Sequence, residues 1–472
     1  MLIKKAVIIA AGNGSRLKSD GVDLPKPLRA VAGLSLLKRI ILSAKKAGIT
    51  EFVIVVGYQK EKIIEALSKE NLGVRIDFAI NPEWKKSNGL SVLAAKPFIR
   101  ENFVLLMSDH IFRPETLEKL RQVTFTNRKA WLGVDFKTQE IFDADDATKV
   151  WASRGEIHAI GKELKKFNGI DTGLFAATPD LFDALEESQK EGDCSLSDGI
   201  RFLAQKGEMG AVDIGNAFWA DVDTPEALAH AETALLQACR KSTDGFIARN
   251  FNRRISLWIT RRLLKTGISA NHMTGFTSLI GILSGVFMAR GDYFGAALGA
   301  FLFKWASILD GCDGELSKLK LTNSKRGEWL DTLSDNLTYV CFTIGVIVAL
   351  AKRGDPHIMV TGTITMLGLV MSLSVMFYYL ARHTNSGSLL AIQEEFKQTS
   401  HESRVKKFVS KIQFMGKRDF FALAFMVLGF LDQLQAILWL TLITTNIVWV
   451  VLLKHVIPAK AGLLDSRLVP RE

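Results

Sequence analysis

The apolar residues of this chain fall into two regimes, and the change between them limits what it can fold into. From about Ser269 onward, six stretches read as membrane spans: about 271–289, 293–309, 333–351, 358–381, 419–432 and 434–456. In hydrocarbon every backbone polar group must be satisfied internally, so such stretches have to be helices. Several are shorter than the roughly 20 apolar residues an isolated span needs; charged ends and polar interior faces in a site-bearing bundle would account for that. Up to about Leu236 short apolar runs alternate with helical patterns, as in a soluble α/β domain. A length of 472 residues also favours at least two domains. The expected division is a soluble α/β domain over 1–236, a juxtamembrane linker and helix over 237–268, a transmembrane domain over 269–457 and a tail over 458–472.

Between the second and third spans stands DGCDGELSKLKLTNSKRGEWLDTLSD, which carries Asp310, Asp313, Asp331 and Asp335. Carboxylates beside a bilayer are costly and are seldom kept without a cation or a reaction to serve. Asp310 and Asp313 are three residues apart and Asp331 and Asp335 four, so on helices each pair shares a face. Two such faces make an all-oxygen site suited to Mg²⁺ or Mn²⁺. The arrangement points to phosphate chemistry at a membrane surface.

The formal charge of +11 raises nucleic acid as a partner, but the cations flank apolar spans and favour membrane topology instead. Lys318, Lys320, Lys325 and Arg326 crowd one connection, and the long one from Arg382 to Arg418 is also basic. The connections near Asp292 and Asp432 are short, although Lys352 and Arg353 run against the trend. The positive-inside rule then predicts an integral protein of the cytoplasmic membrane with both termini in the cytoplasm. Membrane lipids are expected partners and nucleic acid is not. Within 237–268, DGFIARNFNRRISLWITRRLL reads as an amphipathic helix along the membrane surface. The four cysteines form no CxxC pair, which fits a reducing compartment or simple packing. The opening MLIKKAVIIAAGNG is too short for a signal-peptide core and reads as a buried first strand.

In the soluble half, residues 5–11, 52–56, 74–79 and 103–107 read as strands, with helices over 34–47 and 60–69. Alternation of this kind predicts a Rossmann-like, mostly parallel sheet with helices on both faces. Ligands of such folds sit beyond the carboxyl ends of the strands. The loop Ala11-Gly12-Asn13-Gly14-Ser15-Arg16 and Asp109, which follows FVLLM, both fall there. Gly12 and Gly14 let backbone N–H groups approach a triphosphate, while Arg16 and Lys26 add positive charge where phosphorus gains negative charge. Pro25 and Pro27 hold the Lys26 segment extended.

The string AAGNGSRLKSDGVDLPKPL resembles the signature of the sugar-phosphate nucleotidyltransferase superfamily. The resemblance implies that Ala11, Gly12, Gly14, Arg16 and Lys26 bind nucleotide, with Arg16 and Lys26 catalytic. It also implies that Asp109 of Ser108-Asp109-His110 and Asp223 of Trp219-Ala220-Asp221-Val222-Asp223 hold a metal, with Asp221 a helper. Asp223-Thr224-Pro225-Glu226 reads equally as a helix N-cap and first turn. Asn88-Gly89-Leu90-Ser91 resembles the base and ribose contact region of cytidylyltransferases, so Asn88 and Ser91 are nucleotide candidates. Lys149, Lys162 and Asp171-Thr172-Gly173 are candidates for the acceptor side, Lys162 for its phosphate.

The aspartate run resembles the CDP-alcohol phosphatidyltransferase motif, from Asp313-Gly314 through Gly327 to Asp331 and Asp335, with Asp310 at its upstream metal position. By that resemblance Asp310, Asp313, Asp331 and Asp335 bind two divalent metals, and Asp335 is also the catalytic base. Gly314 and Gly327 let the cytidine nucleotide approach, and Asn271, Thr274 and Lys318 contact it. Two departures stand out: Ser317-Lys318 replaces Ala-Arg, which loses a bidentate fork for phosphate, and Ala270 replaces a proline. Lys417 and Arg418 are either an acceptor-phosphate clamp or a positive-inside anchor.

The tandem as a whole resembles the bifunctional family that joins an inositol-1-phosphate cytidylyltransferase to a di-myo-inositol phosphate phosphate synthase. It implies CTP, inositol 1-phosphate and CDP-inositol as ligands, and a homodimer through the membrane helices. Two other outcomes stay open here. The second half could transfer to a lipid hydroxyl, giving a phospholipid, or be an inactive anchor for an active cytidylyltransferase.

Overall fold

The computed structural model describes residues 2–17, 23–138, 146–190, 195–240, 244–383 and 418–465. The chain divides into two units, Met1–Leu235 and Leu236–Glu472. The strands of the first are β1 (Lys5–Ala10), β2 (Ala30–Val31), β3 (Leu34–Ser35), β4 (Glu51–Val56), β5 (Arg75–Ile80), β6 (Phe103–Met107) and β7 (His110–Phe112). They continue with β8 (Ala130–Asp135), β9 (Lys149–Ser153), β10 (Glu156–Gly161), β11 (Gly169–Ala177), β12 (Met209–Asp213) and β13 (Trp219–Asp221). Its helices are α1 (Leu36–Lys46), α2 (Lys60–Ser68), α3 (Asn88–Leu93), α4 (Pro114–Arg121), α5 (Asp180–Gln189), α6 (Leu196–Gln205) and α7 (Pro225–Gln237).

The main sheet runs β5-β4-β1-β6-β11-β8-β12-β10-β9. β1 is buried because both faces are covered. Ala6, Ile8 and Ala10 join one apolar cluster with Phe52, Ile54, Val104 and Leu106. Val7 and Ile9 join the opposite one with Val53, Val55, Phe103 and Leu105. Alternation with period two across a doubly covered sheet turns each strand into a continuous apolar run. The parallel arrangement expected from the sequence holds across β5, β4, β1 and β6. Beyond β6 the sheet becomes mixed, because β11 pairs antiparallel with both β6 and β8. Of the strands there, β9 and β10 pair antiparallel as consecutive strands, while β12 again pairs parallel with β8.

The second unit is helical: α8 (Arg253–Leu263), α9 (Ala270–Met288), α10 (Tyr293–Leu319), α11 (Lys325–Lys352), α12 (Ile358–His383), α13 (Arg418–Phe430) and α14 (Leu434–Asp465). Each apolar stretch picked out in the sequence falls on one of these helices. Among the described residues, three helices are long and apolar enough to cross a membrane: Lys325–Lys352, Ile358–Arg382 and Leu434–Val451. Asp419–Phe430 is a shorter apolar helix. Side-chain caps start the helices that carry the aspartates and their neighbour. Ser269 accepts from the His272 N–H, Asp292 from Gly295 and Ser324 from Gly327. α9, α10 and α11 approach closely where Gly285 meets the Cys341 carbonyl and Gly299 meets that of Ser284. α10 does not stop near 309, where its apolar stretch ends. It continues through Asp310 and Asp313 to Leu319, so the first two aspartates are helical.

Candidate functional site

In the first unit the chemistry gathers where β1 and β6 end side by side. Ile9 is in register with Met107, and the Ser108 N–H donates to the Ile9 carbonyl at 3.2 Å. The glycine loop after β1 and Asp109 after β6 therefore share one sheet edge. β13 pairs antiparallel with β7, which sets Asp221 opposite His110, and the Val222 N–H donates to the Asp109 carbonyl at 3.0 Å. That pairing carries Asp223 to the same place as Asp109, a proximity that no local pattern encodes.

Lys26 joins the two carboxylates. Its buried ammonium lies 2.7 Å from Asp109 Oδ2 and donates to Asp223 Oδ1 as well. Arg16 reaches Asp223 Oδ2 at 2.7 Å through Nη2 and Asp146 Oδ2 at 2.5 Å through Nη1. Lys162 lies 2.6 Å from the other oxygen of Asp146. Burial alone would lower the Lys26 pKa, but Asp109 and Asp223 more than restore it and leave it raised. For Asp109, burial pushes upward, and the charges of Lys26 and His110 override it and hold the carboxyl well below its usual range. His110 is depressed by burial but carried up to about 9 by Asp221, Asp109 and Asp171. Burial lifts Asp221 to about 6; His110 and Lys26 oppose the rise, while Asp109 and Asp223 add to it.

Glycine is required at 14 for two reasons. Its φ is +56°, and a side chain there would run into the Lys26 stem. A Cβ at Gly12 would meet nothing within 4 Å, which leaves that backbone open to an approaching group. Ala11 lies buried beneath the loop, its carbonyl taken by the Tyr58 N–H at 3.0 Å.

Two cavities meet here. One of about 330 Å³ is lined by the loop from Gly12 to Arg16 together with Lys26, Trp84, Asn88 and Ser91. The other, of about 570 Å³, is lined by His110, Asp135, Asp146, Lys162, Asp171 and Trp219 among others. Asn88, Met107, Asp109 and Asp223 line both, so the carboxylates stand at the border between a loop side and a polar side. Asn88 and Ser91 have internal partners too: Asn88 Oδ1 accepts from the Leu196 N–H at 2.8 Å, and Ser91 Oγ from Asn81 at 2.9 Å.

On the polar side Lys162 and Asp171 are brought together and Lys149 is not; it sits over the Phe167 ring, 5.7 Å from its centroid. Thr172 is fully buried and donates to the Gly133 carbonyl at 2.7 Å, a bond internal to the fold. Burial raises Asp171 to about 6 against the Gly173 N–H and His110. Sequence reading passed over Asp146, Asp135 and Trp219. Trp219 stacks on His110 at 6.1 Å and donates to Asp135 at 2.8 Å. Asp146 stands among several acidic residues, and only the tertiary pairing with Arg16 and Lys162 singles it out.

Asp109, His110 and Asp221 each offer one ligand atom within 4.8 Å of the others. Asp223, the expected second ligand, is next to them but engaged by Lys26 and Arg16. A carboxylate-rich donor set of this kind fits a hard divalent cation.

In the second unit the last turns of α10 meet the first turns of α11. One carboxylate oxygen each from Asp310, Asp313 and Asp331 lies within 4.8 Å of the others, an all-oxygen set that again fits a hard cation. Asp335 is one turn further along α11 from Asp331 and lies outside that group of three. Thr274 of α9 donates to Asp313 Oδ2 at 2.7 Å, and the Gly314 N–H donates to Oδ1. A Cβ at Gly314 would meet nothing within 4 Å, so its backbone is open. Gly327 closes the α11 cap on Ser324 at 3.1 Å. Asn271 is exposed in the first turn of α9. Lys318 donates to the Ala238 carbonyl. Lys417 and the Arg418 side chain lie outside the described residues.

Residues 6–137 match the MobA-like NTP transferase domain family, and residues 268–450 match the CDP-alcohol phosphatidyltransferase family. A solved structure titled as the inositol-1-phosphate CTP transferase from T. maritima is 28% identical, covers 49% of this chain and 96% of its own, and has a TM-score of 0.44. A "Bifunctional IPC transferase and DIPP synthase" from Aquifex aeolicus is 35% identical over 75% of this chain and 79% of its own length. One of the same name from Archaeoglobus fulgidus is 31% identical over 94% of this chain and 82% of its own. At this identity, and with both halves inside the matched length, the chain belongs to the family of bifunctional IPC transferases and DIPP synthases.

Proposed function

We propose that the chain carries out two consecutive phosphoryl transfers. In the first, a phosphate oxygen of inositol 1-phosphate attacks the α-phosphorus of CTP; the bond to the bridging oxygen breaks and pyrophosphate leaves with CDP-inositol formed. In the second, a hydroxyl of another inositol 1-phosphate attacks the inositol-bearing phosphorus of CDP-inositol. CMP leaves, and the product is di-myo-inositol phosphate phosphate. The observation that carries this reading is the shared wall of the two cavities of the first unit. A nucleotide in the glycine-loop cavity and a polyol phosphate in the polar one would meet at Asp109 and Asp223.

The residues divide the work. Backbone N–H groups of Gly12 and Gly14 cradle the triphosphate, and Arg16 and Lys26 stabilise charge as it grows on the phosphorane. Lys162 binds the acceptor phosphate and Asp171 its hydroxyls, while Asn88 and Ser91 flank the base and ribose. In the membrane half Thr274 orients Asp313, Gly314 and Gly327 keep the nucleotide close to the helix backbones, and Asn271 and Lys318 approach it from the sides. Asp335 takes the proton of the attacking hydroxyl. Asp109, Asp221 and Asp223 would hold one divalent cation, and Asp310, Asp313, Asp331 and Asp335 two more; Mg²⁺ or Mn²⁺ there polarises phosphate oxygens and offsets developing charge. Lys417 and Arg418 clamp the acceptor phosphate of the second step.

The second unit associates with the membrane through its apolar helices. We read 237–268 as the juxtamembrane segment, 269–457 as a six-span transferase domain and 458–472 as a tail. The basic connections support a cytoplasmic position for both sites and both termini, where CTP is found. Lipids surround the bundle, which pairs with a second copy. The test is product analysis with labelled CTP and inositol 1-phosphate. A water-soluble phosphodiester supports this reading. A label extracted into lipid would move the acceptor to a lipid hydroxyl, and CDP-inositol that accumulates without CMP would make the second half an anchor.

A further inference from the structure

Glu315 follows Asp313 by two residues and is buried, only 2% exposed, on the flank of α10 away from Thr274. Its Oε1 accepts from Arg253 Nη1 at 2.9 Å and from Ser256 Oγ at 2.6 Å, and its Oε2 from Thr260 Oγ1 at 2.7 Å. All three donors belong to α8. The contact extends along α10 on either side of the carboxylate. A Cβ at Gly311, between Asp310 and Cys312, would lie 3.2 Å from both Arg253 and Ser256. The Cys312 thiol donates to the Ser256 carbonyl at 3.5 Å, and buried Lys304 donates to Asn252 at 2.9 Å. Residues 304, 311, 312 and 315 recur at helical spacing, so one stripe of α10 is fastened to one stripe of α8.

We propose that Glu315 is a positioning residue for the membrane-half active site: fastened to α8, it fixes the rotation of the α10 turn that presents Asp310 and Asp313 to Asp331. This inference rests on the transferase reading of those aspartates. The last turns of α10 project beyond its apolar stretch; α9 holds them on one flank through Thr274 and Asp313, which leaves rotation about the helix axis to be fixed on the other, and helix ends fray when their groups are unsatisfied. A carboxylate with three donors from a neighbouring helix removes that freedom. Donors to a group that supports ligands tune metal affinity without touching the metal. Asp310 and Asp313 lie on the same turn as Gly311 and Cys312, so a rotation there would spread their oxygens. Gly311 admits α8 close enough for Arg253 to pass between the two helices.

The experiment uses full-length protein in detergent, with Glu315→Gln and, on the opposing helix, Ser256→Ala with Thr260→Val. Mn²⁺ binding is followed by electron paramagnetic resonance in an Asp109→Asn, Asp223→Asn background, so that only the membrane-half site is counted. CMP release from CDP-inositol is measured against Mg²⁺ concentration in parallel, without that background. Both sets of variants should weaken Mn²⁺ binding by about tenfold. The Mg²⁺ needed for half-maximal CMP release should rise alike, with kcat at saturating Mg²⁺ within about threefold of the parent. Glu315→Asp, which keeps the charge on a shorter stem, should recover part of the affinity. Unchanged Mn²⁺ affinity in both sets, or lost kcat with unchanged metal dependence, would overturn the proposal. If Glu315→Gln fails to insert, the α8 pair carries the test alone. A parent that releases no CMP would instead refute the transferase reading beneath it.

Discussion

Lys26 is held between Asp109 and Asp223 by charge that burial alone would oppose, and that balance defines its task. In the task we propose for it, a cation fixed where charge grows on the transferred phosphorus would stabilise the transition state more than the ground state. Lys26→Met should therefore cut pyrophosphate release from CTP and inositol 1-phosphate by about 10²- to 10³-fold, read in a coupled phosphate assay. Asp171 carries the opposite burden. Its folded pKa of about 6 exceeds the 3.8 of an exposed aspartate because burial disfavours its charge. The folded state thus holds the proton more tightly. The stability this contributes is complete below about pH 4 and is lost as pH rises through 6. Asp171→Asn removes a penalty of up to about 3 kcal/mol at neutral pH. The variant should melt higher than the parent at pH 7.5 and equal to it near pH 4 in thermal scans, while cytidylyl transfer slows. A parallel loss of stability at both pH values would mean that burial is not what Asp171 resists.

At the scale of elements, the readable parts were those whose partners are local or repetitive. β1 and β6 stood out because strands covered on both faces become unbroken apolar runs, and the FVLLM strand was found residue for residue. The mixed half of the sheet was not legible, since β11 carries nothing in its own sequence to announce two antiparallel neighbours. The amphipathic pattern expected of the linker is present, with the polar side facing inward: Ser256 and Thr260 of α8 and Asn252 before it are buried, whereas Trp258 of α8 and Phe246 and Phe251 before it are exposed. A moment calculated from sequence has no sign for which face meets protein. The extension of α10 through Asp310 and Asp313 agrees with reading that pair on one helix face. Caps matter most where helices bear ligands. Ser324 caps the helix that carries Asp331, so Ser324→Ala should cost about 1 kcal/mol and Ser324→Asp almost nothing, measured by thermal unfolding in detergent. An Asp variant as weak as the Ala one would remove capping as the cause.

For the molecule as a whole, the two families were legible because the aspartate run and the glycine loop each lie close in sequence. The meeting of Asp109 with Asp223 and the pairing of Asp146 with Arg16 depend on chain closure over long separations, and no local pattern records it. Two reactions in separate units also predict separable failures. Asp109→Asn with Asp223→Asn should abolish pyrophosphate release yet leave CMP release from supplied CDP-inositol intact. A mixture of that variant with one defective in the aspartate group of α10 and α11 should again form the diester, since CDP-inositol can diffuse between chains. The most direct measurement is CMP release from CDP-inositol and inositol 1-phosphate by correctly inserted Asp313→Asn and Asp331→Asn proteins at saturating Mg²⁺. A fall of at least about 10²-fold relative to the parent is predicted. Turnover at the parent rate would contradict the assignment of the acidic turns of α10 and α11 as the second active site.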